Sequence, residues 1–363
     1  MNVKEIYNLL HSMPEEGMQE FKTSEYLAKQ LEILGYKVTR NIGITGVVGT
    51  YNTGVPGPTL AIRADMDALK HLVNGEIKFI HSCGHDAHAA MVLVAASRLI
   101  NNVKKGTLKI VFQPGEETLL GAQAMIKDGL LEDIDIMLGL HLRPIQDASM
   151  GQASPGVYHA ASAVLDVTIQ GLTAHGARPH LGINAIDAAA LAILAVNSIR
   201  TNPIIACSAK VTAINAGGAA SNAIPDKATL VLDVRAQTNA AMQDLQAKIK
   251  AAITAAAATI GATAEVTIRG EVPAAELDDT LTNEVAEVIE EVLGAENLIP
   301  RLQNPGGEDF HYFAVKKPGL KAAYFGLGCD LKPGLHDPNM DFNKDALENG
   351  VNILTKMVLK KLG

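Results

Sequence analysis

Residues 58–67 read PTLAIRADMD, and residues 107–117 read TLKIVFQPGEE. Each segment begins as a short apolar run, typical of a buried β-strand, and ends in a pair of acidic side chains. Between them, Ala87 to Leu99 predicts an apolar helix, and Ile134 to Leu140 predicts a further strand that ends at His141. Strands that alternate with helices indicate a mainly parallel sheet covered by helices, which is an α/β fold.

A different pattern begins near residue 160. Ser162 to Gln170 alternates apolar and polar side chains, as a half-exposed strand does. The elements that follow are predicted as a helix over 184–199, strands over 209–214 and 228–234, a helix over 239–260 and a strand over 263–268. The order β-α-β-β-α-β is that of a ferredoxin-like unit. We therefore predict a split catalytic, metal-binding domain over 1–159 and 271–363, with an inserted α+β domain over 160–270.

Composition restricts the class of protein. A chain of 363 residues exceeds what one core usually holds, which agrees with two domains. The net charge of -8 and the lack of a long basic run argue against a nucleic-acid partner. No apolar stretch is long enough for a membrane span, and the N-terminus lacks a signal pattern. Three scattered cysteines predict no disulfide framework, so we expect a cytoplasmic protein.

Residues 81–88, HSCGHDAH, concentrate groups that bind borderline divalent metals. A thiolate at Cys83 can bridge two metals, and the imidazole of His85 can bind one of them. His81 and His88 are weaker candidates, since His88 can simply begin the following helix. The alternative is a buried structural cysteine beside surface histidines, but three histidines within eight residues are hard to explain by packing.

Glu116 and Glu117 follow the strand over 107–112. Adjacent carboxylates usually mark a solvated loop, but next to a Cys-x-His pair they suit a metal site. Adjacent side chains point in different directions, so one can bind metal while the other faces the attacking water. A metal lowers the pKa of its bound water to about 7, and a nearby carboxylate can then take the proton.

Four further residues could complete a metal site. His141 and His336, taken singly, are equally compatible with a core histidine and a loop residue. Together with Cys83, His85 and Glu117 they give a ligand set for two ions. Asp65 and Asp67 can hold or orient a ligand, or they can simply form the turn after their strand.

The inserted domain contributes polar residues that need no metal. His175 and Asn222 lie in glycine-containing segments, and Arg235 lies near the end of a predicted strand. A histidine and an asparagine that approach a carbonyl oxygen would stabilise an oxyanion. An arginine would clamp a substrate carboxylate. The alternatives are ordinary turn chemistry and a surface ion pair for Arg235.

Taken together, these motifs resemble the amidohydrolase branch of the aminoacylase/carboxypeptidase metallopeptidases. The resemblance runs nearly end to end through TGVV at 45–48, RADMDAL at 63–69, CGHDAH at 83–88, QPGEE at 113–117, GLH at 139–141, the His175 segment, the Asn222 to Arg235 segment, GEDF at 307–310 and the His336 loop. One segment departs from the family, which usually has a proline after Asp-Ala-Leu and then a longer acidic stretch. Here residues 70–75 are shorter and read KHLVNG.

The resemblance implies ligands for two divalent ions, with the cysteine bridging: Cys83, His85, Glu117, His141 and His336. Glu116 would be the general base, and Asp67 a supporting active-site aspartate. The inserted domain would form a lid and a dimer interface. His175 would then reach the partner subunit's active site, while Asn222 and Arg235 would contact the substrate.

The function implied is that of a cytoplasmic amidohydrolase. A metal-bound water activated by Glu116 would cleave the amide bond of an N-acyl amino acid. The two ions would be Mn or Zn first, with Co or Ni as alternatives. A dipeptidase or carboxypeptidase using the same site is the alternative enzyme. A non-catalytic protein that binds metal or amino acids is the alternative outside enzymes.

Overall fold

The computed structural model describes all residues, 1–363. The chain divides into two compact units. The first unit comprises Met1–Tyr158, Glu276–Gln303 and Asp309–Gly363, and the second comprises His159–Ala275 and Asn304–Glu308. The first unit is therefore built from segments on both sides of the second in the sequence. No helix is long and apolar enough to cross a membrane.

The helices and strands are named here in chain order. The α-helices are α1 Val3–His11, α2 Phe21–Leu34, α3 His85–Leu99, α4 Gly121–Lys127, α5 Ala185–Asn197, α6 Asn239–Ala258, α7 Asp279–Leu293, α8 His311–Lys316 and α9 Ala346–Leu362. The strands are β1 Lys37–Ile42, β2 Gly46–Asn52, β3 Thr59–Asp65, β4 Leu69–Val73, β5 Glu76–Ile80, β6 Thr107–Gln113, β7 Ile136–Pro144, β8 Ala153–Ser154, β9 Val157–His159, β10 Ala161–Gln170, β11 Ala174–His175, β12 Cys207–Ala216, β13 Ala223–Ile224, β14 Lys227–Ala236, β15 Thr263–Val272, β16 Leu302–Asn304 and β17 Lys321–Leu331.

A seven-stranded sheet forms the centre of the first unit, in the order β1-β2-β6-β3-β7-β17-β8. The four strands β6, β3, β7 and β17 pair in parallel, and the strands outside them pair antiparallel. The predicted mainly parallel α/β sheet is thus confirmed. One boundary is corrected: β7 continues to Pro144, so His141 lies inside this strand rather than at its end.

Helix α3 carries the Cys-Gly-His-Asp motif at its start and is buried almost all round. Its small apolar side chains, such as Ala89, Ala90 and Ala95, are fully buried, so the helix can pack against α1, α9 and β3 at once. A helix that is apolar on every face is typical of a protein interior. This packing holds the start of α3 firmly beside the ends of the parallel strands, where ligands bind in such sheets.

The second unit is an antiparallel sheet with two helices. Its strand order is β12-β14-β10-β15, which is that of a ferredoxin-like unit and confirms the predicted fold class. Leu165, Val167 and Ile169 on β10 are buried together with apolar residues of α5 and α6, as the alternating pattern predicted. Asn184 caps α5, because its side chain accepts a hydrogen bond of 3.0 Å from the Ile186 N–H.

Helices α7 and α9 of the first unit are joined by a row of ion pairs. They link Lys356 with Glu291, Lys360 with Glu287, and Lys361 with Glu284. The two helices come from opposite ends of the final segment of the chain. Strand β17, which lies between them in sequence, is itself inserted between β7 and β8. The last part of the chain therefore completes both a helical layer and the central sheet.

Candidate metal centre

A glycine shapes the turn that presents Cys83 and His85. Gly84 adopts a φ of 83°, a left-handed conformation that favours glycine, and it precedes the first residue of α3. A Cβ atom at this position would lie 3.0 Å from a methyl carbon of Leu142. The turn brings the Cys83 thiol and the His85 imidazole together with His141, so that one ligand atom of each lies within 4.8 Å of the others.

His141 faces Cys83 with its free nitrogen. Its Nδ1 lies 2.6 Å from the backbone oxygen of Leu142 and must donate to it, which leaves Nε2 without a proton. That Nε2 lies 3.4 Å from the Cys83 sulfur. Burial and the neighbouring His88 imidazole lower the pKa of His141 well below its ordinary value, so the ring is neutral. A neutral imidazole with a free Nε2 is the form that binds metal.

His85 is oriented by Asp67. The His85 Nδ1 lies 2.8 Å from Asp67 Oδ1, which leaves Nε2 to face the centre. The other carboxylate oxygen of Asp67 accepts a hydrogen bond of 2.9 Å from the Glu117 N–H. One aspartate thus holds two candidate ligands, as the supporting carboxylates of metal sites do.

Glu116 and Glu117 lie in the turn that follows β6. One oxygen of each lies 3.9 Å from the His85 Nε2. The Glu117 Oε1 also lies 3.3 Å from the Nε2 of His336, which reaches the centre from the loop after β17. Burial acts to raise the pKa of Glu117, but the neighbouring His336 and His85 imidazoles outweigh it and lower the pKa.

Two groups of ligand atoms share the Cys83 sulfur. One contains Cys83, His85 and His141, and the other contains Cys83, Glu117 and His336. In both groups the atoms lie within 4.8 Å of one another, as ligands at about 2.0–2.3 Å from one common ion must. The five residues predicted as ligands are thus brought together, in two sets that meet at one thiol.

An unpaired atom of this centre suits a cation. The His85 Nε2 is buried without a hydrogen bond, which is costly for a polar group unless another ligand satisfies it. Burial and the Glu117 carboxylate raise the pKa of the Cys83 thiol well above its ordinary value. This thiol would therefore become a thiolate only beside a strong positive charge, which a divalent ion supplies. The residues present fit a pair of divalent ions.

His88 is excluded as a ligand because both of its ring nitrogens are used. Its Nδ1 donates to Asp65 Oδ1 at 2.7 Å, and its Nε2 accepts from the Leu142 N–H at 3.0 Å. Asp65 in turn accepts a hydrogen bond of 2.8 Å from Arg63, whose guanidinium is fully buried and also contacts Asp309 at 3.1 Å. Asp65 therefore belongs to a buried charged network that adjoins the centre, since its Oδ2 also lies 3.8 Å from the His85 Nε2.

Two supporting carboxylates were missed by reasoning from the sequence. Asp309 accepts from Arg63 and from the Ala122 N–H, and it lies in the GEDF motif, which offered a signal. Glu20 is fully buried and accepts from the Gly115 N–H at 2.8 Å and from the Thr45 hydroxyl at 2.5 Å. It steadies the turn that bears Glu116, yet its position before a helix gives no hint of this.

The candidate substrate residues of the second unit lie at two separate places. Strands β11 and β13 pair His175 with Ala223, and the Gly176 N–H donates to the backbone oxygen of Asn222 at 2.7 Å. His175 and Asn222 are therefore neighbours. Both side chains are exposed. Arg235 lies on β14 with its guanidinium bound to Asp233, at 2.9 Å for the closest pair.

The sheet register separates these two places. Arg235 pairs with Ser162 at the start of β10, whereas His175 follows Gln170 at the end of β10. The eight residue steps from Ser162 to Gln170 span about 27 Å at 3.4 Å per residue. Within one chain, Arg235 and the residue from which the His175 segment departs therefore lie at opposite ends of β10.

Two groups of candidate metal ligands that share one thiol, at the carboxyl edge of a parallel sheet, suit a metal-dependent hydrolase. Residues 61–360 match the family described as Peptidase family M20/M25/M40. The chain therefore belongs to peptidase family M20/M25/M40. It is an enzyme, a metal-dependent amidohydrolase, as its sequence predicted.

Relatives along the whole chain agree with this family. A protein called IAA-amino acid hydrolase ILR1-like 2, from Arabidopsis thaliana, is 32% identical over 97% of this chain and 83% of its own length. A hippurate hydrolase from Campylobacter jejuni is 32% identical over 99% of this chain and 96% of its own length. The crystal structure of the YXEP protein of Bacillus subtilis, described as a dinuclear metal binding peptidase from the M20 family, has a TM-score of 0.84 at 25% identity and covers 99% of this chain and 97% of its own.

Proposed function

We propose that this enzyme cleaves the amide bond of N-acyl amino acids with the help of two divalent ions. The five ligands would be Cys83, His85, Glu117, His141 and His336. The proposal is carried by one observation, namely that the Cys83 sulfur belongs to two separate groups of closely spaced ligand atoms. Relatives named for the hydrolysis of hippurate and of IAA-amino acids, which are amides of an amino acid, support the choice of substrate.

Glu116 is proposed as the general base. When bound, the ions supply Lewis acidity that polarises the amide carbonyl and lowers the pKa of a water molecule to about 7. The Glu116 carboxylate lies beside the centre, 3.9 Å from the His85 Nε2, where it can accept the proton of the attacking water. The same carboxyl group would then donate this proton to the leaving amine nitrogen.

Asp67 is proposed to hold the ligands rather than to react. Its two oxygens bind the His85 Nδ1 and the Glu117 N–H at 2.8 and 2.9 Å. This arrangement keeps the His85 proton on Nδ1, away from the centre, and steadies the Glu117 backbone. Both ligands thus keep their direction before any substrate arrives, which is the preorganisation that hydrolysis needs.

His175, Asn222 and Arg235 are proposed to contact the substrate, in a homodimer formed through the inserted unit acting as lid and dimerisation domain. His175 would donate to the oxyanion, and Arg235 would hold the substrate carboxylate. Within one chain, a span of about 27 Å along β10 separates Arg235 from the residue where the His175 segment departs. If His175 and Arg235 act on one substrate, His175 and the adjacent Asn222 would come from the partner subunit.

The kind of ion and the compartment are also proposals. A mixed set of thiolate, imidazole and carboxylate ligands suits Mn or Zn, with Co or Ni as alternatives. All three cysteines are free in the structure, which agrees with a reducing cytoplasm.

The proposed function is tested by removing the metal and restoring Mn, Zn, Co or Ni singly. Each form is then offered N-acetyl amino acids, N-benzoyl amino acids and dipeptides. We expect metal-restored release of free amino acid from the N-acyl substrates. Release from dipeptides alone would identify a dipeptidase. Bound ions with no release from any substrate would point to a binding protein, and Glu116→Gln loaded with the same metal serves as the inactive control.

A further inference from the structure

A hairpin is attached directly to the candidate metal centre. Strands β4 and β5 form an antiparallel pair between Asp67 on one side and Cys83 on the other. Its two ends therefore lead directly to two residues of the centre.

One side chain of the hairpin returns to the turn that carries Cys83. The His71 Nε2 forms a hydrogen bond of 2.8 Å with the Ser82 hydroxyl. Ser82 is only 1% exposed, so this contact is sheltered from water on its serine side. The backbone oxygen of Ser82 accepts a second hydrogen bond of 2.8 Å from the His336 N–H. Ser82 thus links His71 to a candidate ligand that is distant in sequence.

His336 depends on this link more than the other candidate histidines depend on their neighbours. His85 and His141 are buried, and each is oriented by a hydrogen bond from its own Nδ1. The His336 side chain is 56% exposed, and its φ of 65° is uncommon for any residue except glycine. A residue in that conformation keeps it only where its surroundings hold the backbone. For His336 the contact through the N–H is to Ser82.

We propose that His71 is a positioning residue for one of the two ions, the ion bound by Cys83, Glu117 and His336. By holding Ser82, His71 sets the backbone oxygen to which His336 is bound, and so sets the direction of the His336 imidazole. His85 and His141 are oriented by hydrogen bonds of their own and do not need this one. The inference rests on the proposed function, because it assumes that the five side chains bind two ions.

The test measures binding of Co²⁺ to metal-free protein by calorimetry. The wild-type protein should bind two ions, and His336→Ala identifies which binding step belongs to its ion. We expect His71→Ala to weaken that same step by about 10- to 100-fold, as loss of a residue that orients ligands does, and to spare the other step. His71→Gln, whose amide can reach the same hydroxyl, should restore most of the affinity.

A double-mutant cycle identifies the contact responsible. Ser82→Ala removes the hydroxyl but keeps the backbone oxygen, so it should weaken the same step, and combining it with His71→Ala should add little. Lys78→Ala is the matched control, because Lys78 lies directly opposite His71 in the hairpin and is exposed. Three results would refute the proposed role of His71: weaker Co²⁺ binding at the other step, an equal loss of affinity at both steps, or no loss of affinity. Fewer than two ions bound by the wild-type protein would instead refute the proposed function.

Discussion

The candidate residues of the two units differ in how firmly they are held. In the first unit, His85, His141 and Glu117 each have a backbone or side-chain partner that sets their direction, and the two histidines are buried. In the second unit, His175 is exposed, and Arg235 is 35% exposed and bound to Asp233. The candidate metal centre is therefore preorganised within one chain, whereas the proposed substrate-binding residues do not form a common site within one chain. This difference predicts different responses to substitution.

The largest effect on turnover is expected for Glu116, the proposed general base in the first unit. Glu116→Ala should lower kcat by about 10²- to 10⁴-fold, since it removes the general base but no ligand. Ion binding, measured by calorimetry, and the melting temperature should remain close to those of the wild-type protein. A variant with wild-type turnover would refute the role of Glu116. Loss of ion binding would show that Glu116 is a ligand rather than a base.

A matched pair of arginine substitutions tests how much the burial of an ion pair contributes to stability. Arg63→Met leaves the buried carboxylates of Asp65 and Asp309 without their cation, so unfolding in urea should show a loss of about 3–5 kcal/mol. Arg235→Met removes a partly exposed ion pair and should change stability by about 0–1 kcal/mol. Equal losses of stability for the two substitutions would show that the buried arginine is no more important to the fold than the partly exposed one.

The proposal that His175 acts in the partner subunit predicts complementation. His175→Ala alone should lower kcat by about 10²- to 10³-fold, as loss of an oxyanion donor does. Mixing it with inactive Glu116→Ala should restore part of the activity, because a mixed dimer contains one site with both native residues. The check is activity after the two variants are unfolded and refolded together. A mixture no more active than its components would place His175 in its own subunit's site, or outside any site.

The smallest effect is expected at the residue that orients ligands. Asp67→Ala removes the partner of the His85 Nδ1 and of the Glu117 N–H, so ion affinity should fall by about 10- to 100-fold. Added metal should then recover much of the activity, which distinguishes this variant from Glu116→Ala. If excess metal has no effect on its turnover, Asp67 has a direct part in the reaction.

The fold was predictable because buried apolar residues follow regular patterns along the sequence. The continuous apolar runs of β3 and β6 predicted a buried parallel sheet, and the alternation of Ser162 to Gln170 predicted a sheet with one buried face. The end of β7 was predicted too early, since a histidine inside a buried strand looks like the polar residue that ends one. Only its hydrogen bonds show that His141 is satisfied there.

The candidate ligands can be picked out by their chemistry, but the residues that support them cannot. Cys83, His85 and Glu117 lie in short segments rich in metal-binding groups. The contacts of His71 with Ser82 and of Glu20 with Gly115 join residues 11 and 95 positions apart, and no local pattern marks them. Contacts of this kind depend on how the chain folds in three dimensions, so they cannot be predicted from a single sequence.

The split of the first unit has a consequence for synthesis of the chain. The four-stranded sheet and both helices of the second unit are complete by Val272, but β17 and α9 of the first unit follow it. Until β17 emerges, the buried strand β7 lacks one of its two parallel partners, and α7 lacks the lysines of α9. Protease protection of chains arrested after residue 275 should appear first over 159–275. Most of the inserted unit can thus fold during translation, whereas the unit that carries the candidate ligands must wait until β17 and α9 have been made.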